Sequence, residues 1–329
     1  MQLSILDLVS VSSEQSVSAA IEASMRAAEV ADRLGYRRLW FAEHHNTAAV
    51  ASSSTALLIG QAAARTRRIT VGSGGIMLPN HSPLVVAEDF GTLASMFPGR
   101  IELGLGRAPG TDPVTARALA RSSAEPQDFM DNIRLMQTWF DSGQVGGITV
   151  GVAKGTRVPM WLLGSSTAGA TMAAMLGLPY SFASHFAPDM LEQAVATYRD
   201  RFNPGAPTAQ IEQPYVSIGV NVLAHEEPGA AEHQFTTTQK MFLALRRTGG
   251  RLPLQRPGAF DEEITDVEIQ MMEHMLRYRA VGTPDVVATR LREIAETTGA
   301  DELVTVTYAH DPAVRLRSLE LVAEACGLG

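Results

Sequence analysis

The chain has 329 residues, 45% of them hydrophobic and 19% charged, enough to enclose one large core in a single domain. Its formal net charge of -8 argues against a nucleic-acid partner, because such binding draws its affinity from Lys and Arg neutralising phosphates. No apolar run reaches the roughly 18 residues a spanning helix needs, and the lone Cys326 leaves neither an internal disulfide nor a Cys-based metal site.

The N-terminus opens directly on an apolar strand pattern, residues 3–7, without the basic region or cleavage site of a signal peptide, which predicts a cytoplasmic protein. A helix over 18–34, stopped by Gly35, leads to a second strand over 38–42 that runs into Glu43, His44 and His45. Adjacent strand residues point to opposite faces, so both histidines cannot enter one cavity while the strand stays regular. Three readings stand there: metal ligation, a structural histidine pair, or a cofactor or acid–base role, since histidine changes charge near neutral pH. The first strand, SILDLVS, offers no further histidine pair, so no metal is expected.

A helix over 52–64 precedes the third strand, 69–73, where Gly72, Gly74 and Gly75 either let backbone approach a ligand or form a plain turn. His81, in PNHSP, reads as a loop histidine capping the next helix, 84–96. The fourth strand, 101–104, continues into GLGRAPG, whose spacing and proline do not fit a dinucleotide fingerprint. Arg107 stands just past that strand, where a fixed cation either holds an anionic group or lies exposed on the surface.

A helix over 126–140 and a Gly- and Val-rich hairpin excursion over 141–159 lead to the fifth strand, 160–163. GSSTAG (164–169) then opens a helix over 168–176 with small, hydroxyl-bearing residues, either as a phosphate site on free helical amides or as an ordinary serine cap. A nucleophile elbow is ruled out because Ala168 stands where its last glycine is required. A strand over 181–183, a helix over 187–201 and a strand over 215–223 follow, and the chain ends with helix 284–298, strand 302–308 and helix 313–325. Residues 226–282 are too long for one connection; helical patches over 231–245 and 262–278 flank TGGRLPLQRPGA, and the segment is expected to act as a mobile lid, the alternative being a rigid helical excursion packed on the barrel's side. Lys154 and Lys240 both lie outside the strands, so a Schiff-base aldolase has no nucleophile.

Eight strands alternating with helices predict an α/β fold, a TIM (β/α)8 barrel with an insertion after the seventh strand. In such a barrel all strand C-termini open on one face, which gathers the Glu43 and Gly74 regions there and predicts an enzyme.

Five segments in order, FAEHH (41–45), VGSGGIMLPNHSPLVVAED (71–89), PGRIELGLGR (98–107), GSSTAG (164–169) and VGTP (281–284), resemble the bacterial luciferase-like family of flavin-dependent monooxygenases across nearly the whole chain. The resemblance implies an oxidoreductase that takes reduced FMN into the barrel mouth as cosubstrate, uses dioxygen and oxidises a small organic substrate. It further implies a two-component system with a separate flavin reductase, and a homodimer built through the second and third helices. On the same footing His44 assists the oxygen chemistry, with Glu43 and His45 beside it, and Gly74 and Gly75 are the pair joined by a cis peptide under the isoalloxazine. Arg107, Ser165, Ser166 and Ala168 correspond to the region holding the FMN phosphate. Gly106 replaces the cysteine that precedes this arginine in the luciferases, which points away from light emission and a long-chain aldehyde. A deazaflavin-dependent hydride-transfer enzyme and a non-catalytic flavin-binding protein remain as alternatives on the same barrel.

Overall fold

The computed structural model describes residues 1–108, 111–119, 123–249 and 252–328; Gly250 and Arg251, near the start of TGGRLPLQRPGA, lie outside them. Eight parallel strands close into a barrel: β1 (Gln2–Asp7), β2 (Arg38–Phe41), β3 (Thr70–Ser73), β4 (Ile101–Gly106), β5 (Met160–Gly164), β6 (Tyr180–Phe182), β7 (Val216–Ala224) and β8 (Glu302–Val306). Each pairs with its neighbour in sequence and β8 returns to β1, with Gln2 opposite Glu302. The helices that follow the strands are α1 (Val17–Leu34), α2 (Thr55–Arg65), α3 (Pro83–Met96), α4 (Pro126–Ser142), α5 (Thr167–Leu176), α6 (Leu191–Arg201), α7 (Pro284–Thr298) and α8 (Pro312–Cys326). The expected eightfold alternation is therefore present, and no helix among the described residues is long and apolar enough to cross a membrane.

Strand alternation separates two apolar sets. Leu3, Ile5, Leu39, Phe41, Val71, Leu103 and Leu105 face outward into the large cluster shared with the helices. Leu6, Trp40, Trp161, Val304 and Val306 point into the barrel and form a second cluster. Below them the floor is polar and buried. Arg38, 2% exposed, lies 4.6 Å over the Trp161 ring and pairs with Glu102 at 3.3 Å and Glu302 at 3.2 Å. Trp40 Nε1 donates to the same Glu102 carboxylate at 3.2 Å. Burial pushes the Glu102 carboxyl above its ordinary range, against the pull of Arg38.

Three departures from the sequence pattern shape the site. The chain leaves the sheet at Gly74–Gly75, which are joined by a cis peptide, and re-enters at Ile76–Met77 to pair with Leu105 and Gly106 of β4. Helix α2 begins at Thr55 instead of residue 52, because Ser52 is buried and donates its hydroxyl to Ala42 O while its carbonyl receives His44 N–H at 2.9 Å. Arg279–Gly282 is a strand where a helical patch was expected to run to 278; it covers the far end of β7, Asn221 to Ala224, which outruns β6. The expected hairpin excursion is present as Gln144–Val145 against Ile148–Thr149.

The insertion after β7 carries the helices Ala230–Thr248 and Asp266–Met275. Phe235, Met241, Phe242 and Leu254 from it join the apolar cluster of the barrel interior. Leu254 is also tied to the loop after β1: its N–H donates to Val11 O at 2.9 Å and its carbonyl accepts from Ser13 N–H at 2.8 Å. The segment expected as a mobile lid packs onto the barrel in this structure, and none of its described residues borders the cavity described next.

Candidate active site

A cavity of about 560 Å³ opens at the C-terminal ends of the strands, a size suited to a cofactor and a small molecule. Its wall along β3 and β4 is nearly free of side chains, because Gly74, Gly75 and Gly106 all border it. A Cβ on Gly74 would stand 2.6 Å from Leu6 Cδ1, and one on Gly75 would stand 2.6 Å from Gly104 O, so neither site admits a larger residue without displacement of its surroundings. Leu6, Trp40, Leu163 and Val304 supply an apolar floor.

His44 borders the cavity; Glu43 and His45 do not. The alternation argued from the sequence holds past the end of β2, turning Ala42 and His44 inward and Glu43 and His45 away. Glu43 is fully buried and accepts from His45 Nε2 at 2.8 Å, His81 Nε2 at 2.9 Å and Met77 N–H at 3.0 Å. Burial alone would raise this carboxyl, but the hydrogen bonds from His45 and His81, with the charge of His81 and the Met77 amide, outweigh it and hold the pKa at about 2. His81 is shifted upward in turn by its hydrogen bond to Glu43, against desolvation. The histidine read as a helix cap is therefore part of this buried hub, and Ser82 occupies the cap position of α3. The ligand atoms of Glu43, His45 and His81 lie within 4.8 Å of one another, close enough to share an ion, yet direct hydrogen bonds already join them.

Arg107, Ser165, Ser166 and Gly169 form another side of the same cavity. They meet because β4 and β5 pair with Gly106 opposite Leu163, which sets the residues following each strand side by side. Ser166 caps α5, accepting from Gly169 N–H at 3.4 Å, and Tyr180 Oη fixes the Ser166 carbonyl at 3.1 Å. The first turn of a helix leaves amides without intrahelical partners, here those of Thr167 and Ala168, and its dipole favours an anion. Ala168 itself is exposed and borders no part of the cavity, so its contribution to a ligand is restricted to its backbone. A cation, two hydroxyls and a helix N-terminus beside an apolar slot match the donor set of a phosphate attached to a flat aromatic system, and these residues fit FMN.

Sequence reasoning passed over His185. It follows β6 in SHFAP, is 5% exposed and borders the cavity together with Phe182 and Phe186. The signal was available as a lone histidine two residues past a barrel strand, the position at which His44 had been noticed.

The geometry is mirrored in comparisons with known proteins. The family model of luciferase-like monooxygenases matches residues 1–302. A luciferase-like monooxygenase of Escherichia coli (strain K12) is 42% identical over 324 residues, covering 98% of this chain and 96% of its own length. The crystal structure of apo-MsnO8 is 33% identical with a TM-score of 0.87, covering 100% of this chain and 99% of that one. The oxygenating constituent of 3,6-diketocamphane monooxygenase from Pseudomonas putida, solved in complex with FMN, shares the fold at 18% identity and a TM-score of 0.74, with 98% and 97% of the two chains covered. A family model matching residues 1–302 and a relative 42% identical across 98% of the chain, on a closed barrel of the same kind, place this chain, an oxidoreductase, in the luciferase-like monooxygenase family.

Proposed function

We propose that the cavity takes reduced FMN and dioxygen and oxidises a small organic substrate, with a separate reductase supplying the reduced flavin in the cytoplasm. The observation that carries this reading is the continuity of one cavity from an anion-binding end at Arg107, Ser165 and Ser166 to the glycine wall at Gly74, Gly75 and Gly106, with His44 on its border. Bound reduced FMN supplies the electrons that activate dioxygen. The protein does the rest. Arg107 and the N-terminus of α5 bind and orient the phosphate, and the glycines let a planar ring lie against backbone. Leu6, Trp40 and Val304 exclude water from the floor of the site. His44 holds or moves a proton at its imidazole, while Glu43 locks the segments on either side through His81 and Met77. A homodimer through α2 and α3 belongs to the same reading, since Leu57 on α2 and Val85 and Met96 on α3 are 76%, 48% and 62% exposed.

Binding of reduced FMN under argon, compared between wild type and Arg107→Ala, tests the anion end. The variant should lose roughly 1.5 to 3 kcal/mol of FMN affinity, as expected for a charged hydrogen bond, and almost none of its affinity for riboflavin, which lacks the phosphate. Equal losses for both ligands would remove Arg107 from the phosphate. Tight binding of a reduced deazaflavin in place of FMN would move the activity to hydride transfer.

A further inference from the structure

His44 follows β2 and His185 follows β6, four strands apart in either direction around the eight-stranded ring, so the two imidazoles face one cavity from opposite walls. The fold is shaped to hold the second of them. A Cβ on Gly219 of β7 would stand 2.1 Å from His185 Nδ1, so the absence of a side chain at that position is what lets the ring lie against the strand. The main chain around it is clamped to the same strand: Ser184 Oγ donates to Gly219 O at 2.7 Å, and buried Asn221 donates through Nδ2 to His185 O at 2.7 Å. Phe186 meets the imidazole edge-on, with ring centroids 4.9 Å apart.

Met172, Phe182, Ala183 and Phe186 border the cavity along with His185 and give it apolar wall. Arg107 is the only Arg, Lys, Asp or Glu among the described residues on the cavity border, and it stands past β4 beside the anion-binding end. Away from Arg107, a charged substrate would meet no Arg, Lys, Asp or Glu among the described residues that border the cavity, and would lose its hydration without compensation. A neutral molecule with an apolar body would lose little, provided its polar group meets the imidazole.

We infer that His185 is the substrate-contacting residue of the cavity, hydrogen-bonding the single polar group of a neutral, largely apolar substrate and thereby setting which atom faces the reaction centre. The inference takes its reaction from the flavin-dependent reading above, whereas the binding it asserts is measurable without turnover.

The test uses two probes of one shape, 2-heptanone and 2-methyl-1-heptene, in which a methylene replaces the carbonyl oxygen. Dissociation constants are read from the visible spectrum of bound oxidised FMN and, in flavin-free protein, from the histidine ring resonances. Wild type should prefer the ketone, and ketone binding should move the resonance that disappears in His185→Gln. His185→Phe should cut the preference about tenfold, the worth of one buried hydrogen bond, while FMN affinity stays within about twofold. Gly219→Ala, which displaces the ring, should reproduce that loss, and His185→Gln, which keeps a donor and an acceptor, should retain part of the preference. An unchanged preference in His185→Phe, or no saturable ketone binding by wild type, overturns the assignment. Failure of FMN to bind, with ketone still shifting the His185 resonance, would sink the flavin reading and leave this one standing.

Discussion

Glu43 touches no part of the cavity, yet its carboxylate joins the end of β2 to Met77 and His81 and so holds the segment that carries Gly74 and Gly75. Glu43→Gln removes the charge that both histidines face and should cost about 3 kcal/mol, as breaking a buried pair does. The pH dependence has a definite sign. The Glu43 carboxyl is depressed in the fold from its ordinary 4.5 to about 2, so its contribution is present above 4.5 and lost as pH falls towards 2. His81 is raised from its ordinary 6.5, so its contribution is complete below 6.5 and lost as pH climbs through the raised value. The stability gap between wild type and Glu43→Gln should therefore peak between 4.5 and 6.5 in urea melts and shrink on both sides. His44→Ala should keep flavin affinity within about tenfold and lower oxygenation by roughly 10² to 10⁴, the usual range for a lost acid–base group. An unchanged product yield would remove His44 from the chemistry. The divergence of His44 and His45 was legible in the sequence because strand alternation is local. The partnership of Glu43 with His81 was not, since it joins residues 38 positions apart through a loop whose path no periodicity encodes.

At the scale of elements, the eight barrel strands were readable because buried parallel strands are nearly continuous apolar runs, as in Leu39 to Phe41 or Met160 to Leu162. Arg279–Gly282 escaped notice because four residues, RAVG, abut a helical pattern and pair only with the overhang of β7. The insertion was located by length, but its behaviour could not be read from the flexible composition of TGGRLPLQRPGA. The contact that bears on it is Leu254, 3% exposed and hydrogen-bonded in both directions to the loop after β1. The Leu254 amide should exchange slowly with solvent in the free protein and at the same rate with FMN bound. Rapid exchange that FMN suppresses would restore the lid. Arg256, which pairs with Glu14 at 2.7 Å, lies on the outer surface of the same segment.

The molecule as a whole pairs a closed barrel with exposed apolar side chains on two adjacent helices. The proposed homodimer predicts that wild type sediments as a dimer at micromolar concentration and that carboxylates at Leu57 and Met96 (Leu57→Asp with Met96→Asp) yield a folded monomer with a lower melting temperature. A double variant that still sediments as a dimer would place the interface elsewhere.

The floor built from Arg38, Glu102, Glu302 and the two tryptophans turns the barrel into a cup with one rim. Closed at the bottom by buried ion pairs, the barrel leaves the mouth at the C-terminal ends of its strands as the end on which its cavity lies, so flavin and substrate are expected to share one entrance. Stopped-flow binding of each in the presence of the other should show one slowing the exchange of the other.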